Sequence, residues 1–117
     1  KPEFAEAHFN LGNTLKELGR LDEAEASYEQ AITLKPEYAE AHSNLGVTLL
    51  DLGRLDEAEA NSRKAIILKS EYAEAHDNLG RVLLKKGYHS EGLEMLRIGT
   101  GFVSFDVTNG MSVKRGA

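Results

Sequence analysis

Apolar residues return at helical spacing from the first turn of the chain. Phe4, His8, Leu11, Leu15 and Leu18 lie four and three positions apart, the stripe of an amphipathic helix, and Gly19 closes it. After the link Gly19-Arg20 comes a second stripe of Leu21, Ala24, Tyr28 and Ala31, with Asp22 as the expected N-cap and Pro36 as the stop. The unit is a helical hairpin, and it recurs. Pro2-Glu3-Phe4-Ala5-Glu6-Ala7-His8 returns as Pro36-Glu37-Tyr38-Ala39-Glu40-Ala41-His42, then as Ser70-Glu71-Tyr72-Ala73-Glu74-Ala75-His76, a period of 34 residues.

The second unit repeats the plan with Gly53 as the break and Asp56 as the expected cap. Ser70 replaces proline at its end and softens the boundary, because serine does not forbid a helix. In the third unit the first helix is expected over about residues 71–86, with Lys85 and Lys86 placed where positive charge suits a C-terminus. Its partner is weaker. Gly92 and Gly99 replace the alanines at 24/58 and 31/65, each costing about 1 kcal/mol of propensity, so that helix is expected from residue 90 to 98, stopping at Gly99-Thr100-Gly101.

Beyond it the pattern alternates: Phe102-Val103-Ser104-Phe105-Asp106-Val107, then Asn109-Gly110, then Met111-Ser112-Val113. This predicts a short β-hairpin-like or irregular tail. Two strands alone are barely stable in water, so the tail packs on the array, pairs with another chain, or stays disordered. A hairpin that cannot close its own core must stack on its neighbours. The predicted fold is therefore all-α, an α-solenoid over residues 1–98 with repeats of about 2–35, 36–69 and 70–98, followed by the tail at 99–117.

His8, Leu11-Gly12, Leu15, Ala24, Tyr28 and Pro36, with His42, Leu45-Gly46, Leu49 and Ala58 in the second copy, resemble the tetratricopeptide repeat. The resemblance covers about residues 2–98 and implies a right-handed array of three hairpins and a binding role. In this reading Gly12, Gly46 and Gly80 let helices approach closely. His for Trp and Leu for Tyr are smaller fillings of the same gaps. Ser62 stands where Tyr28 is aromatic, a truncation that costs about 3 kcal/mol when buried, so the second hairpin is expected to be the looser one. The wording Ala-Glu-Ala-His-x-Asn-Leu-Gly is also similar to the repeats of O-linked N-acetylglucosamine transferase. That likeness implies an asparagine ladder, here Asn10, Asn44 and Asn78, holding a peptide backbone; it extends to the repeat arm alone.

At about 100° of rotation per residue, with Leu11 centred in the packed stripe, Glu6, Phe9, Asn13 and Lys16 face away from it and Asn10 sits at the margin. Carried through the repeats, the expected groove residues are Glu6, Phe9, Asn10, Asn13, Glu40, Asn44, Val47, Leu50, Asn78, Arg81 and Leu84. In the family this is the concave face. Some members grip a C-terminal carboxylate there, but the cation positions of that mode hold Phe9, Glu74 and Asn78, and Glu74 would repel it. The expected ligand is an extended peptide, bonded by the asparagines and touched by Phe9, Val47, Leu50 and Leu84.

A net charge of −5 gives no basic footprint for nucleic acid or an anionic membrane, and suits partners with basic residues. There is no cysteine and no run of 18 apolar residues, so thiol chemistry and a spanning helix drop out. His8, His42 and His76 sit on equivalent helices about 8–10 Å apart, too far to share a metal, and are expected to pack or to hydrogen-bond between helices. No cofactor and no catalytic group is indicated by any spacing. The leading expectation is a noncatalytic, cytoplasmic scaffold for protein or peptide partners. The chain opens on Lys1, just before a repeat boundary, and so reads as a fragment. It could instead be the substrate-recruiting arm of a larger enzyme, or a module that self-associates through the solenoid ends or the tail.

Overall fold

The computed structural model describes residues 2–100. The alternating segment over 102–113 lies outside the described residues. Six helices follow in order: α1 (Pro2–Glu17), α2 (Leu21–Leu34), α3 (Ala39–Asp51), α4 (Leu55–Leu68), α5 (Ala73–Lys85) and α6 (His89–Thr100). Every element among the described residues is a helix, and none is long and apolar enough to cross a membrane. Each packs on its neighbours in sequence, while α1 also meets α3 and α3 meets α5. The three hairpins thus form an elongated stack, 50 × 26 × 21 Å in extent.

The first helix of each hairpin ends by one device. Gly19 sits at φ +79°, where a side chain is strained, and its N–H bonds to Lys16 O at 3.0 Å while Arg20 N–H bonds to Leu15 O at 2.9 Å. Gly53 and Gly87 repeat that geometry. The N-caps of α2 and α4 fall two residues earlier than expected. Arg20 and Arg54 occupy the N-cap positions without a side-chain cap bond, and Asp22 and Asp56 lie inside the first turn, where they complement the helix dipole instead of capping it. Each arginine reaches forward to Glu23 or Glu57, an ion pair across one turn. The boundary at Ser70 is not softer than that at Pro36: Lys35 and Lys69, which close α2 and α4, have nearly the same backbone angles.

Where the two helices of a hairpin cross, no room remains for a methyl group. A Cβ on Gly12 would lie 2.7 Å from the Tyr28 ring, and one on Gly46 would lie 2.7 Å from Ser62 Oγ. One on Gly80 would meet backbone, Gly92 O at 2.8 Å and Leu96 N at 2.9 Å. The gap expected around Ser62 is therefore closed at this point: with the ring gone, backbone atoms of α4 stand 3.4–3.5 Å from the same position. The residual cost is chemical, because Ser62 is fully buried and its hydroxyl has no hydrogen-bond partner. Gly92 and Gly99 serve the same closeness. Gly99 is helical, and a Cβ on it would lie 2.7 Å from Asp77 N, so it seats α6 on α5 where the sequence pattern suggested a stop.

The core runs between hairpins as well as within them, with Leu15, Ala24, Tyr28, Leu45, Leu49, Ala58 and Val82 in one cluster. Gly80→Ala is expected to lower unfolding free energy by about 3 kcal/mol, since the obstruction is backbone. Gly46→Ala should cost about 1 kcal/mol, because Ser62 Oγ can rotate, and should cost less again in a Ser62→Ala background. Urea unfolding midpoints at constant m-value measure all three.

Candidate functional site

The repeat lays α1, α3 and α5 side by side, so equivalent positions become neighbours along one wall. At its centre the Asn13 carbonyl accepts two bonds, from the Tyr28 hydroxyl at 2.5 Å and from Asn44 Nδ2 at 2.8 Å. The junction ties α2, α1 and α3 together. Burial pushes the Tyr28 phenol up to about 12, with the Asn44 amide pulling the other way. One step along, Asn78 Nδ2 donates to Ser43 Oγ at 2.9 Å and to Ser43 O at 3.3 Å. Asn78 is only 5% exposed.

The three asparagines expected to form a ladder are therefore not equivalent. Asn10 is exposed, Asn44 is half-buried and spends its amide N–H on α1, and Asn78 is buried against α3. Each later asparagine reaches the first helix of the preceding hairpin, and Asn10 has no such helix among the described residues. Phe9 is likewise half-buried, its ring 4.9 Å from that of Tyr38 and 6.0 Å from that of Tyr28.

Two hollows open on these helices. One, of about 310 Å³, is lined by Phe9, Asn13, Lys16, Glu17, Asn44, Tyr72 and Glu74. The other, of about 490 Å³, is lined by Leu50, Asp51, Arg81, Leu84 and Lys85 toward the C-terminal ends of α3 and α5. Six of the expected groove residues, Phe9, Asn13, Asn44, Leu50, Arg81 and Leu84, are brought into them. Glu6, Asn10, Glu40, Val47 and Asn78 line neither. Glu40 pairs with Lys69 at 3.3 Å. Burial raises its carboxyl, but its own backbone N–H and the Lys69 ammonium outweigh that and hold it below the usual range.

Tyr72 was not legible as a site residue because it precedes α5 instead of lying on the stripe; its recurrence with Tyr38 is the signal that marks it. Its hydroxyl donates to Glu74 at 2.9 Å, and burial, then that carboxylate, raises the phenol above its ordinary value. Arg81 is bonded to Asp77 at 2.9 Å. The hollow at Phe9 thus combines amides with two carboxylates and one ammonium, whereas that at Leu50 combines two leucines with two cations and one carboxylate.

His42 and His76 hold the turns that precede α3 and α5. His42 Nε2–H donates to Pro36 O at 3.0 Å, and Nδ1 lies 3.3 Å from Asn61 Oδ1; His76 Nε2–H donates to Ser70 O at 2.9 Å. Serine thus replaces proline without loss, since the carbonyl is what the histidine binds. At the equivalent of Asn61 stands Met95, and His76 Nδ1 is buried without a partner. Asn78→Ala is expected to lower stability by about 2 kcal/mol, leaving Ser43 unpaired in the interior, while Asn10→Ala should change it by less than roughly 0.5 kcal/mol; chemical denaturation of the two variants checks the contrast.

Two family models match the chain, one described as TPR repeat over residues 12–53 and one described as tetratricopeptide repeat over residues 39–72. No curated protein sequence matches it. Among solved structures it is similar to that of MamA, with 25% identity and a TM-score of 0.77 over 86% of this chain and 59% of that one. It is similar also to the first TPR of Spaghetti (RPAP3) bound to the HSP90 peptide SRMEEVD, with 18% identity and a TM-score of 0.84 over 91% of this chain and 84% of that one. The Arabidopsis OM64 TPR domain aligns with 20% identity and a TM-score of 0.84 over 88% and 85% of the two chains. The chain spans less than two thirds of the MamA chain.

Proposed function

The chain belongs to the tetratricopeptide-repeat family, and from that premise we propose that it is a protein-interaction scaffold whose α1, α3 and α5 face takes an extended segment of a partner. The observation that carries this reading is the pair of hollows on those helices, which combine hydrogen-bonding amides at Asn13 and Asn44 with apolar contacts at Leu50 and Leu84. An extended backbone needs both, since its peptide groups seek partners and alternate side chains seek pockets. The asparagines serve the fold first: Asn44 spends its N–H on Asn13, and its carbonyl is the group left to bond a ligand N–H.

Charge orders the segment along the face. Glu17 and Glu74 outnumber Lys16 in the first hollow, and Arg81 and Lys85 outnumber Asp51 in the second. A basic residue suits the first, and an apolar residue beside an acidic one suits the second. The peptide seen on the Spaghetti domain, SRMEEVD, carries three acidic residues in its last four, a sequence that would meet Glu74 here if laid in the first hollow. No step of chemistry is assigned, and the scaffold acts by holding its partner.

Short synthetic peptides with paired arginines followed by leucine and glutamate test the proposal. They are expected to shift backbone amide resonances of α1, α3 and α5 and to bind about tenfold more weakly to Glu17→Lys, an exposed position that leaves the fold intact. Shifts confined to α2, α4 and α6, or equal calorimetric affinity for the variant, would remove the groove from the function.

A further inference from the structure

A further hollow, of about 270 Å³, opens between α4, α5 and α6, and none of its residues lines the two hollows already described. Arg63, Ile66 and Ile67 come from α4, His76 and Leu79 from α5, and Met95 from α6. The side chains are hydrocarbon or thioether except at two points. One is Arg63, held by Glu59 at 2.9 Å and Glu91 at 3.3 Å. The other is His76, 9% exposed, whose Nδ1 has no hydrogen-bond partner. Its Nε2 lies 2.9 Å from Ser70 O, a group that only accepts, so the ring hydrogen sits on Nε2 and Nδ1 is left as an acceptor.

The preceding step of the stack shows what the repeat places at the same positions. One repeat back stand Glu29, Ile32, Thr33, His42, Leu45 and Asn61. There the Asn61 amide lies 3.3 Å from His42 Nδ1, so that histidine has a polar neighbour within the chain. In the next step Asn61 becomes Met95, Thr33 becomes Ile67 and Glu29 becomes Arg63, while the histidine keeps its bond to the carbonyl that opens its turn. The changes around one histidine thus remove its partner and surround it with hydrocarbon. A buried acceptor without a donor is destabilising until an outside group supplies one. Ile67, 76% exposed, adds a large apolar side chain on the surface beside it. That exposure does not come from a position late in the chain, since Thr33, with α3 to α6 after it, is exposed at the equivalent site.

We infer that this hollow receives a tryptophan side chain of a partner protein, whose indole N–H donates to His76 Nδ1. Indole has one donor and no acceptor, the complement of a site with one free acceptor. A phenol adds an acceptor for which the buried lining holds no donor, and a phenyl ring brings no donor at all. The body of the ring covers Ile66, Ile67 and Leu79, while the Met95 thioether suits an aromatic edge and the Arg63 guanidinium an aromatic face. The size agrees: about 270 Å³ is below the roughly 300–1,000 Å³ of sites that enclose a whole small molecule, and suits one large side chain. Met95 stands where Asn61 approaches its histidine, and its three rotatable bonds let it turn aside as the ring enters. The site shares no residue with the groove and does not depend on that reading.

Nuclear magnetic resonance titration of the full chain with the capped peptide Gly-Trp-Gly tests this. Signals of Ile66, Ile67, Leu79 and Met95 are expected to shift, and the indole N–H resonance of the peptide to move downfield. The same peptide built with 1-methyltryptophan, which keeps the ring and lacks the N–H, should bind about fivefold more weakly. Met95→Asn, which restores the arrangement of Asn61 and His42, should weaken Gly-Trp-Gly binding about tenfold without lowering the unfolding midpoint, and Ile67→Thr, at an exposed position, should weaken it about threefold. Equal affinity for the methylated ring would overturn the inference, and because both probes are compared on the parent chain this holds even where a variant fails to fold. Undiminished binding to a folded Met95→Asn chain would overturn it as well, as would shifts confined to the hollows of α1, α3 and α5. A cross-peak between the His76 ring and residues 101–117 in the free chain would mark the chain's own segment as the occupant and equally overturn it.

Discussion

Contact between two helices at a glycine is the constraint on which this molecule depends. With a methyl group excluded at Gly12, Gly46 and Gly80, the two helices of a hairpin are held at the distance set by whatever the second helix presents: a tyrosine ring, a serine hydroxyl, or backbone together with the Leu96 side chain. That distance sets where the second helix offers its outer surface to the next hairpin, and so the spacing of α1, α3 and α5. The groove on those helices is a consequence of packing at its back. Interiors close-packed to this degree transmit a change in one side chain to their neighbours, so the three hairpins need not be identical even where their sequences nearly are.

Helix number, pairing and the breaks at Gly19 and Gly53 were legible because they rest on periodicity and on the backbone freedom of glycine, both local properties. The caps were misjudged for a local reason too: Asp22 and Asp56 look like N-caps, yet the preceding leucine already lies in the helix and the arginine before it takes the terminal position. Gly99 was misread because glycine signals both a stop and a close approach, and only the proximity of Asp77 N decides between them. At the candidate site, rotation around one helix puts Phe9, Asn13 and Leu50 on one expected face, and each lines one of the two hollows. It could not show that Asn78 is covered by Ser43, since that depends on a residue 35 positions away.

The asparagines show how one residue type serves two ends. Their amides cross from one hairpin to the previous one, replacing water with fixed partners. Asn78 is buried as a strut on Ser43, whereas Asn44 bonds to Asn13 and also lines the hollow at Phe9. The outer rim uses charge for a similar purpose. Arg54 grips Glu25 through two nitrogens at 2.7 and 2.8 Å, and Lys86 lies 2.7 Å from both Asp56 and Glu59. Glu25, Glu59 and Lys86 are partly covered in these pairs, whose like-for-unlike pattern penalises a wrong register between hairpins.

The turns that join the helices of each hairpin have a different character from the crossings. Around Gly19, Gly53 and Gly87 a Cβ would meet nothing within 4 Å, so these tips project into open space, anchored by the N–H of each glycine and of the residue after it. Extra residues inserted there would displace no packed neighbour, and lengthening a loop adds only slowly to its closure entropy. The three tips are thus natural places to graft a fluorophore, an epitope or a tether at regular intervals along the stack, leaving both the crossings and the groove untouched.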